Sequence, residues 1–348
     1  MNDLVEKSPF PDMDSERITL AHGSGGKLTN RLLDNGVFKL FDNDKLQKRD
    51  DGAVFNMNGD IAFSTDSFVI SPIFFPGGDI GELAVNGTVN DVAMTGGIPK
   101  YISLAFIIEE GMLVSDLWKI LLSIKSAADK SGVQIVTGDT KVVEKGHGDQ
   151  IFINTTGVGE MHPKAELDMS KISTGDKIII SGNVANHGIA ILSKREGLEF
   201  ESEIESDTVN LNYLVKEILD KHGSAVKLFR DPTRGGVATV LNEIAIQTKT
   251  GISINSDEIP VEKQVNGACE LFGLDPLYVA NEGIMITIVD PSEADKILST
   301  MQNLPEGVNS KIIGEITSEH IGKVVSNGIF GGARVVSMPI AEQLPRIC

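Results

Sequence analysis

Acidic side chains recur in short turns along this chain: Asp50 and Asp51 in RDDGAV, Asp66 in STDSF, Asp91 in VNDVA, Asp139 in TGDTK and Asp231 in RDPTRGG. One such carboxylate reads as a turn closure or a helix cap. Five loops of this kind, several at the ends of apolar strand-like runs, point instead to a metal-nucleotide site. Clustered carboxylates repel unless a cation bridges them, and Mg²⁺ takes one or two together with phosphate oxygens and water. Residues 22–27, HGSGGK, add a flexible backbone rich in N–H groups and one cation, Lys27, the components of an anion cradle. The segment is neither a Walker A loop nor a dinucleotide fingerprint, because Leu28 stands where those patterns need Ser, Thr or Gly. DPTRGG contributes Arg234, a side chain able to grip phosphate through two N–H groups, beside two glycines that open a predicted helix.

Groups able to move protons or carry an acyl group are fewer. His187 in NHGIA and Glu282 in ANEGI lie near predicted strand ends, and each is readable as a general acid or base or as a hydrogen-bonded structural residue. Of the two cysteines, Cys269 lies on an apolar helix face and reads as a small buried hydrophobe. Cys348 closes the segment QLPRIC, where Pro345 stiffens the approach, Ile347 offers an apolar grip, and the pull of Arg346 toward a thiolate is opposed by the adjacent carboxylate, so no depressed thiol pKa follows. By composition such a cysteine carries no role of its own. A thiol on a mobile arm nonetheless suits a group carrier that visits more than one site.

Positioning these residues requires a mixed α/β scaffold. Apolar alternation and short apolar runs predict strands at 61–64, 101–108, 134–136 and 151–155. Between them, Asp79 caps a helix whose inward positions are Ile80, Leu83, Ala84 and Val92, and a second helix runs from Val114, capped at Ser115 or just before it. A polar stretch at 161–175 containing Pro163 reads as a hinge. Beyond it the pattern restarts, with strands at 177–180, 226–229, 252–254, 284–289 and 312–316 and helices at 207–221, 237–248, 261–272 and 292–302. Two domains are expected, residues 1–172 and 173–332, followed by a mobile tail, 333–348.

Composition narrows the function class. The 49 acidic against 31 basic side chains give a formal charge of −18, which argues against a phosphate-backbone or anionic-membrane partner, so an anionic ligand must find a local cluster of donors or a bridging cation. No apolar run approaches a membrane span, and the first residues lack the basic and apolar regions of a signal peptide, so a cytoplasmic protein is expected. Two cysteines are too few for a disulfide framework or a structural zinc site.

Taken together, HGSGGK, STDSFVISPIFFPGGDIGELAVNGTVNDVAM, GDTKVV, INTTGVGE, DPTRGGVATVLNEIA, GLDPLYVANEG and QLPRIC closely resemble the HypE family of hydrogenase maturation factors. That family belongs to the PurM-like superfamily of aminoimidazole ribonucleotide synthetase and selenophosphate synthetase. The resemblance implies two PurM-like α/β domains, with the N-terminal domains pairing their sheets in a homodimer and ATP lying under the glycine-rich segment. It implies that Asp51, Asp66, Asp91 and Asp231 hold Mg²⁺. Gly25, Gly26, Lys27, Asn90, Asp139, Thr140 and Arg234 would join those four in binding the nucleotide. Cys348, Glu282, Lys141 and His187 would serve catalysis, with Glu282, assisted by Lys141, ahead of His187 as the base. Cys348 would receive a carbamoyl group from the carbamoyltransferase HypF, ATP would drive its dehydration to a thiocyanate, and the cyano group would pass to iron on a HypC–HypD complex. A selenophosphate-synthetase-like enzyme shares the Asp and Lys framework, but HGSGGK lacks the cysteine or selenocysteine that chemistry uses. A non-enzymatic, ATP-switched assembly scaffold is the alternative from another class.

Overall fold

The computed structural model describes residues 15–197, 203–328, 331–340, 344, 346 and 347; Pro345 and Cys348 lie outside the described residues, as do the first fourteen. The first half supplies β1 (Ile61–Phe68), the short pair β2 (Phe74–Phe75) and β3 (Gly78–Asp79), β4 (Gly97–Glu109), β5 (Gln134–Val143) and β6 (Ile151–Met161). Four of these form a sheet in the order β1-β6-β4-β5, antiparallel except for the β4–β5 pair. One face packs against two helices, Ile80–Met94 and Val114–Ser131. The second half supplies β7 (Lys177–Ile180), β8 (Val226–Arg230), β9 (Gly251–Asn255), β10 (Ile286–Val289), β11 (Lys311–Thr317), β12 (Val324–Asn327) and β13 (Ala333–Val336). These build a seven-stranded sheet in the order β13-β12-β9-β11-β7-β10-β8.

Helix Ile80–Met94 is the hub. Asp79 caps it by accepting from the amides of Gly81 (2.7 Å) and Glu82 (3.1 Å). Its buried set runs from Ile80 and Leu83 through Asn86, Thr88 and Asn90 to Met94, so it is buried on every side and not along one stripe. The reason is tertiary: it packs on β1 and β6 and also against helix Asn212–His222 and β8 of the second half.

Several boundaries differ from the periodicity. The helix expected at 207–221 spans Asn212–His222, because residues 207–211 bond elsewhere: the Leu211 amide donates to Asn90 Oδ1 (2.7 Å), and the Asp207 carboxylate accepts from Glu282 and Gly283. Helix Val114–Ser131 starts at Val114 as expected, but its N-cap position is Leu113, which supplies no side-chain cap. Helix Asn186–Glu196, with Ile189, Ala190 and Ile191 all buried, shows no amphipathic period and was not anticipated. Ala333–Val336, assigned from sequence to the tail, is a strand paired with β12. Among the described helices none is long and apolar enough to cross a membrane.

The main apolar core does not stop at the first half. Phe68, Ile70, Ile73 and Phe75 share it with Ile189 and Ile191, and with Leu344 and Ile347 at the far end of the chain. Both tail residues are more than nine-tenths buried.

Candidate active site

Strand alternation places Ser64 and Asp66 on the helix-covered face of β1, where Asp91 arrives from helix Ile80–Met94. Ser64 Oγ donates to Asp91 Oδ2 at 2.7 Å. Beyond β8, the DPTRGG turn brings Asp231, whose Oδ2 accepts from Thr233 Oγ1 (2.8 Å), and Arg234, whose Nη2 lies 3.8 Å from Asp66 Oδ1. Gly235 and Gly236 both take positive φ, and a Cβ on Gly236 would meet the carbonyls of Leu277 and Val279 at 2.6 Å. Glycine therefore lets this turn press against the short 3-10 helix Pro276–Tyr278 and the loop that leads from it to Glu282. Asn281 locks the contact: its Nδ2 donates to Pro232 O and Val279 O, each at 3.0 Å, and its Oδ1 accepts from the Ala185 amide.

The electrostatics of this group are those of crowded, half-desolvated acids. Burial, with Asp231 second, pushes Asp91 up to about 7; burial likewise raises Asp66 against the pull of the Ser67 amide and Arg234. Glu282 is 5 % exposed, its Oε1 has no hydrogen-bond partner among the described residues, and burial plus the fields of Asp207, Asp231, Asp66 and Asp91 raises it well above the carboxylate range. The shift favours its neutral, protonated form. Asp207, pushed up to about 6 by burial, accepts from two backbone amides, those of Glu282 and Gly283.

A second group lies at the β5 edge. A cavity of about 410 Å³ is lined by Gly25 and Thr29 of the glycine-rich segment, Leu104, and Asp139, Thr140 and Lys141 of β5. Gly23 fixes this arrangement, since a Cβ there would meet the Val142 amide at 2.5 Å. Lys141 Nζ and Asp139 Oδ1 are 2.7 Å apart, and that contact holds Asp139 below the usual carboxylate range. The Gly25 amide is taken by Thr29 Oγ1 (3.0 Å), while Gly26 caps the short helix that Lys27 opens, with Lys27 exposed.

Sheet register separates the two groups. Asp66 pairs with Thr155, Thr155 with Leu104, and Leu104 with Gly138, so Asp66 and the Asp139 region stand at opposite edges of one sheet, three strand spacings or roughly 14 Å apart. Lys141 thus belongs to a different group from Glu282 in this chain. Asp51 is exposed in the loop before β1, and no described hydrogen bond or ion pair ties it to the acidic group.

Among the described residues no three His, Cys, Asp or Glu side chains are spaced to hold a metal ion by themselves. The chemistry of the donors nonetheless fits a hard cation: the charge of Asp231 raises both Asp66 and Asp91, and that of Asp66 raises Asp91, a repulsion that a cation offsets, and Mg²⁺ needs only one or two carboxylates besides phosphate and water. A cavity of about 460 Å³ between the halves, lined by Ser64, Asp91, Lys227, Arg230 and Asp231, gives this group an opening.

Two sequence assignments change. Asn90, placed with the nucleotide ligands, has its whole amide engaged by protein: Nδ2 donates to Val209 O (3.0 Å) and Glu282 O (3.2 Å), and Oδ1 accepts from Leu211. It straps the two halves together. His187 is no accessible base: burial pulls it down to about 4, and both nitrogens are bonded, Nδ1 with Ser206 Oγ (2.8 Å) and Nε2 with Ile347 O (2.5 Å). Sequence reasoning missed Ser64, Ser206, Asp207 and Asn281. Asp207 sat inside a predicted helix, and the others carry no spacing that separates them from ordinary loop residues.

Comparison with known proteins places these groups in context. Residues 49–161 match the family of AIR synthase related proteins, N-terminal domain, and residues 173–327 the corresponding C-terminal domain. The carbamoyl dehydratase HypE of Rhizobium leguminosarum bv. viciae is 45% identical over 338 residues, covering 97% of both chains. A crystal structure of the hydrogenase maturation protein HypE in complex with ATP superposes with a TM-score of 0.91 at 44% identity, covering 94% of this chain and 99% of that one. A HypE–HypF complex matches with a TM-score of 0.78 at 44% identity, covering 90% of this chain and 100% of that one.

Proposed function

The chain belongs to the HypE family of carbamoyl dehydratases, and from that premise we propose how it works. It is an ATP-dependent enzyme that dehydrates a carbamoyl group carried on the Cys348 thiol, in hydrogenase maturation. The amide oxygen of the S-carboxamide is a poor leaving group, so it attacks the γ-phosphorus of ATP and displaces ADP. A base then removes N–H protons as the C–O bond breaks, leaving S–C≡N. In sum, thiocarbamate and ATP give thiocyanate, ADP, phosphate and a proton, with the amide oxygen retained in the phosphate.

One observation carries this reading. Asp207 accepts from the amides of Glu282 and Gly283, and Ser206 beside it bonds His187, which in turn holds the carbonyl of Ile347. The residue before Cys348 is therefore tied, through His187 and the adjacent Ser206 and Asp207, to the backbone of a buried carboxyl with an unpartnered oxygen. Asp66, Asp91 and Asp231 would hold Mg²⁺, which supplies charge neutralisation on the phosphates. Offsetting its acidic neighbours lowers the proton affinity of Glu282, which remains raised by burial and serves as the acceptor of the N–H proton. Gly25, Lys27, Asp139, Thr140, Lys141 and Arg234 serve the nucleotide, with Lys141 also available to the leaving phosphate.

The chain acts as a homodimer. Ile61, Phe63 and Ile107 are exposed, and register sets them on the sheet face away from the helices, where a second copy's sheet would cover them. We place it in the cytoplasm, receiving the carbamoyl group from HypF and passing cyanide to a HypC–HypD iron complex. Mass spectrometry of the Cys348 peptide is the test: the carbamoylated protein given Mg²⁺ and ATP loses the mass of one water, with ADP and phosphate released. Retention of the carbamoyl group while ATP is hydrolysed would refute the reading.

A further inference from the structure

The docked tail is held by polar groups whose polarity is fully determined. The Ile347 carbonyl can only accept, so His187 Nε2 carries the ring proton, and Nδ1 must accept from Ser206 Oγ. Ser206 Oγ accepts in turn from the Thr208 amide at 3.2 Å. The result is a one-directional relay: Thr208 N–H to Ser206, Ser206 O–H to His187, His187 N–H to Ile347. Phe75 meets the imidazole edge-on, with ring centroids 5.7 Å apart, and fixes the plane of the ring.

The neighbouring carbonyl is gripped as well. Arg195 Nη2 donates to Arg346 O while its Nε donates to Ser71 O (2.5 Å), and the Ser71 amide donates to the same Arg346 carbonyl at 3.4 Å. Arg346 takes a positive φ and reaches Asp149 and the Val69 carbonyl. Two successive carbonyls are thus bonded before the chain reaches Cys348. Leu344 and Ile347 fill the apolar core beside them, and Leu344 passes so close to Gly188 that a Cβ there would lie 3.1 Å from its Cδ1. Apolar burial gives affinity without direction; the two carbonyl contacts fix the rotation and depth of the tail segment at Arg346 and Ile347.

We infer that His187, oriented by Ser206 and seconded by Arg195, is a positioning residue that latches the tail in its docked state and sets the partition between a docked, dehydrating arm and a released arm that accepts the carbamoyl group. The inference rests on the carbamoyl-dehydratase reading for its consequence, but the latch is measurable without that chemistry. It replaces the acid-base role that sequence gave His187, which a doubly bonded, buried, neutral imidazole cannot fill.

The experiment uses the full chain with Mg²⁺ and ATP. The rate of iodoacetamide labelling at Cys348 is followed by peptide mapping, in parallel with single-turnover dehydration of the carbamoylated protein. Losing one buried hydrogen bond corresponds to about a 5- to 10-fold change in the docked-to-released ratio, so with a mostly docked wild-type tail His187→Leu raises Cys348 labelling by up to about that factor and lowers the dehydration rate by less. ATP affinity stays at its wild-type value, and carbamoyl acceptance, which uses the released arm, rises with the labelling. His187→Gln, which keeps an N–H donor, restores part of both. Arg195→Met alters a partly exposed side chain that leaves the core intact, and it moves both rates in the same direction. A merely structural histidine would lower the melting temperature and leave Cys348 labelling in the folded protein unchanged. Unchanged labelling in both His187→Leu and Arg195→Met overturns the latch. A wild-type protein that never dehydrates its carbamoyl group defeats the functional reading instead, and labelling still decides the latch.

Discussion

Replacing Asp91 by Asn separates stability from function at a single atom. Burial and the Asp231 charge raise Asp91 from its ordinary 3.8 to about 7, so between about pH 4 and pH 7 the folded chain keeps a proton that the unfolded chain has lost. Stability therefore falls as pH rises through that window and levels off above it. Each tenfold displacement of an ionisation constant is worth about 1.4 kcal/mol, which sets an upper bound of about 4 kcal/mol. Solvent access at this half-buried site reduces it to about 2 kcal/mol. Asn keeps an oxygen to accept from Ser64 Oγ and removes the charge, so Asp91→Asn should be about 2 kcal/mol more stable than wild type at pH 8 and nearly equal to it at pH 4. In melting temperature that is roughly 4–8 °C. Saturating Mg²⁺-ATP should reverse the order, because a ligand at a hundredfold excess over its Kd adds about 2.7 kcal/mol to wild type and much less to the variant. Urea titrations at the two pH values and calorimetric titration with Mg²⁺-ATP make the comparison. A variant no more stable than wild type at pH 8 would refute the electrostatic account, and an unchanged Mg²⁺-ATP affinity would refute the metal assignment.

Other consequences follow from the same geometry. Glu282→Gln keeps the shape and removes a buried acid, so the protein should fold and bind ATP while single-turnover dehydration drops by about 10²- to 10⁴-fold; dehydration within tenfold of wild type would remove Glu282 as the base. Asn90→Ala breaks three hydrogen bonds between the halves and should cost about 2–4 kcal/mol in chemical unfolding, whereas a loss of ATP affinity with stability intact would return Asn90 to the nucleotide site. Burial pushes the Cys269 thiol up to about 11, so Cys269→Ala should leave carbamoyl acceptance unchanged and Cys348→Ala should abolish it, as read by peptide mass.

What the sequence determined by itself was the inventory and the local structure. Asp79 capped its helix as read, because a cap needs only a carboxylate two or three residues from the orphan amides. Strands β4, β6, β7 and β11 announced themselves by apolar alternation, and the acidic turns by composition. Motif resemblance carried the family, since HGSGGK, DPTRGG and ANEG are contiguous and need no tertiary knowledge. Only the tertiary structure decided which of these residues meet. Spacing along the chain cannot say that Asp66 and Asp139 stand at opposite edges of one sheet, because strand order is set by long-range pairing. Nor can it say that helix Ile80–Met94 is enclosed on all sides, which turns Asn90 from a ligand candidate into a strap. Asp207 lost its predicted helix because its carboxylate binds amides some 75 residues away. His187 shows the rule most directly: an imidazole's chemistry depends on what its two nitrogens touch, and here the answers come from Ser206 and from the carbonyl of Ile347, 160 residues further along the chain.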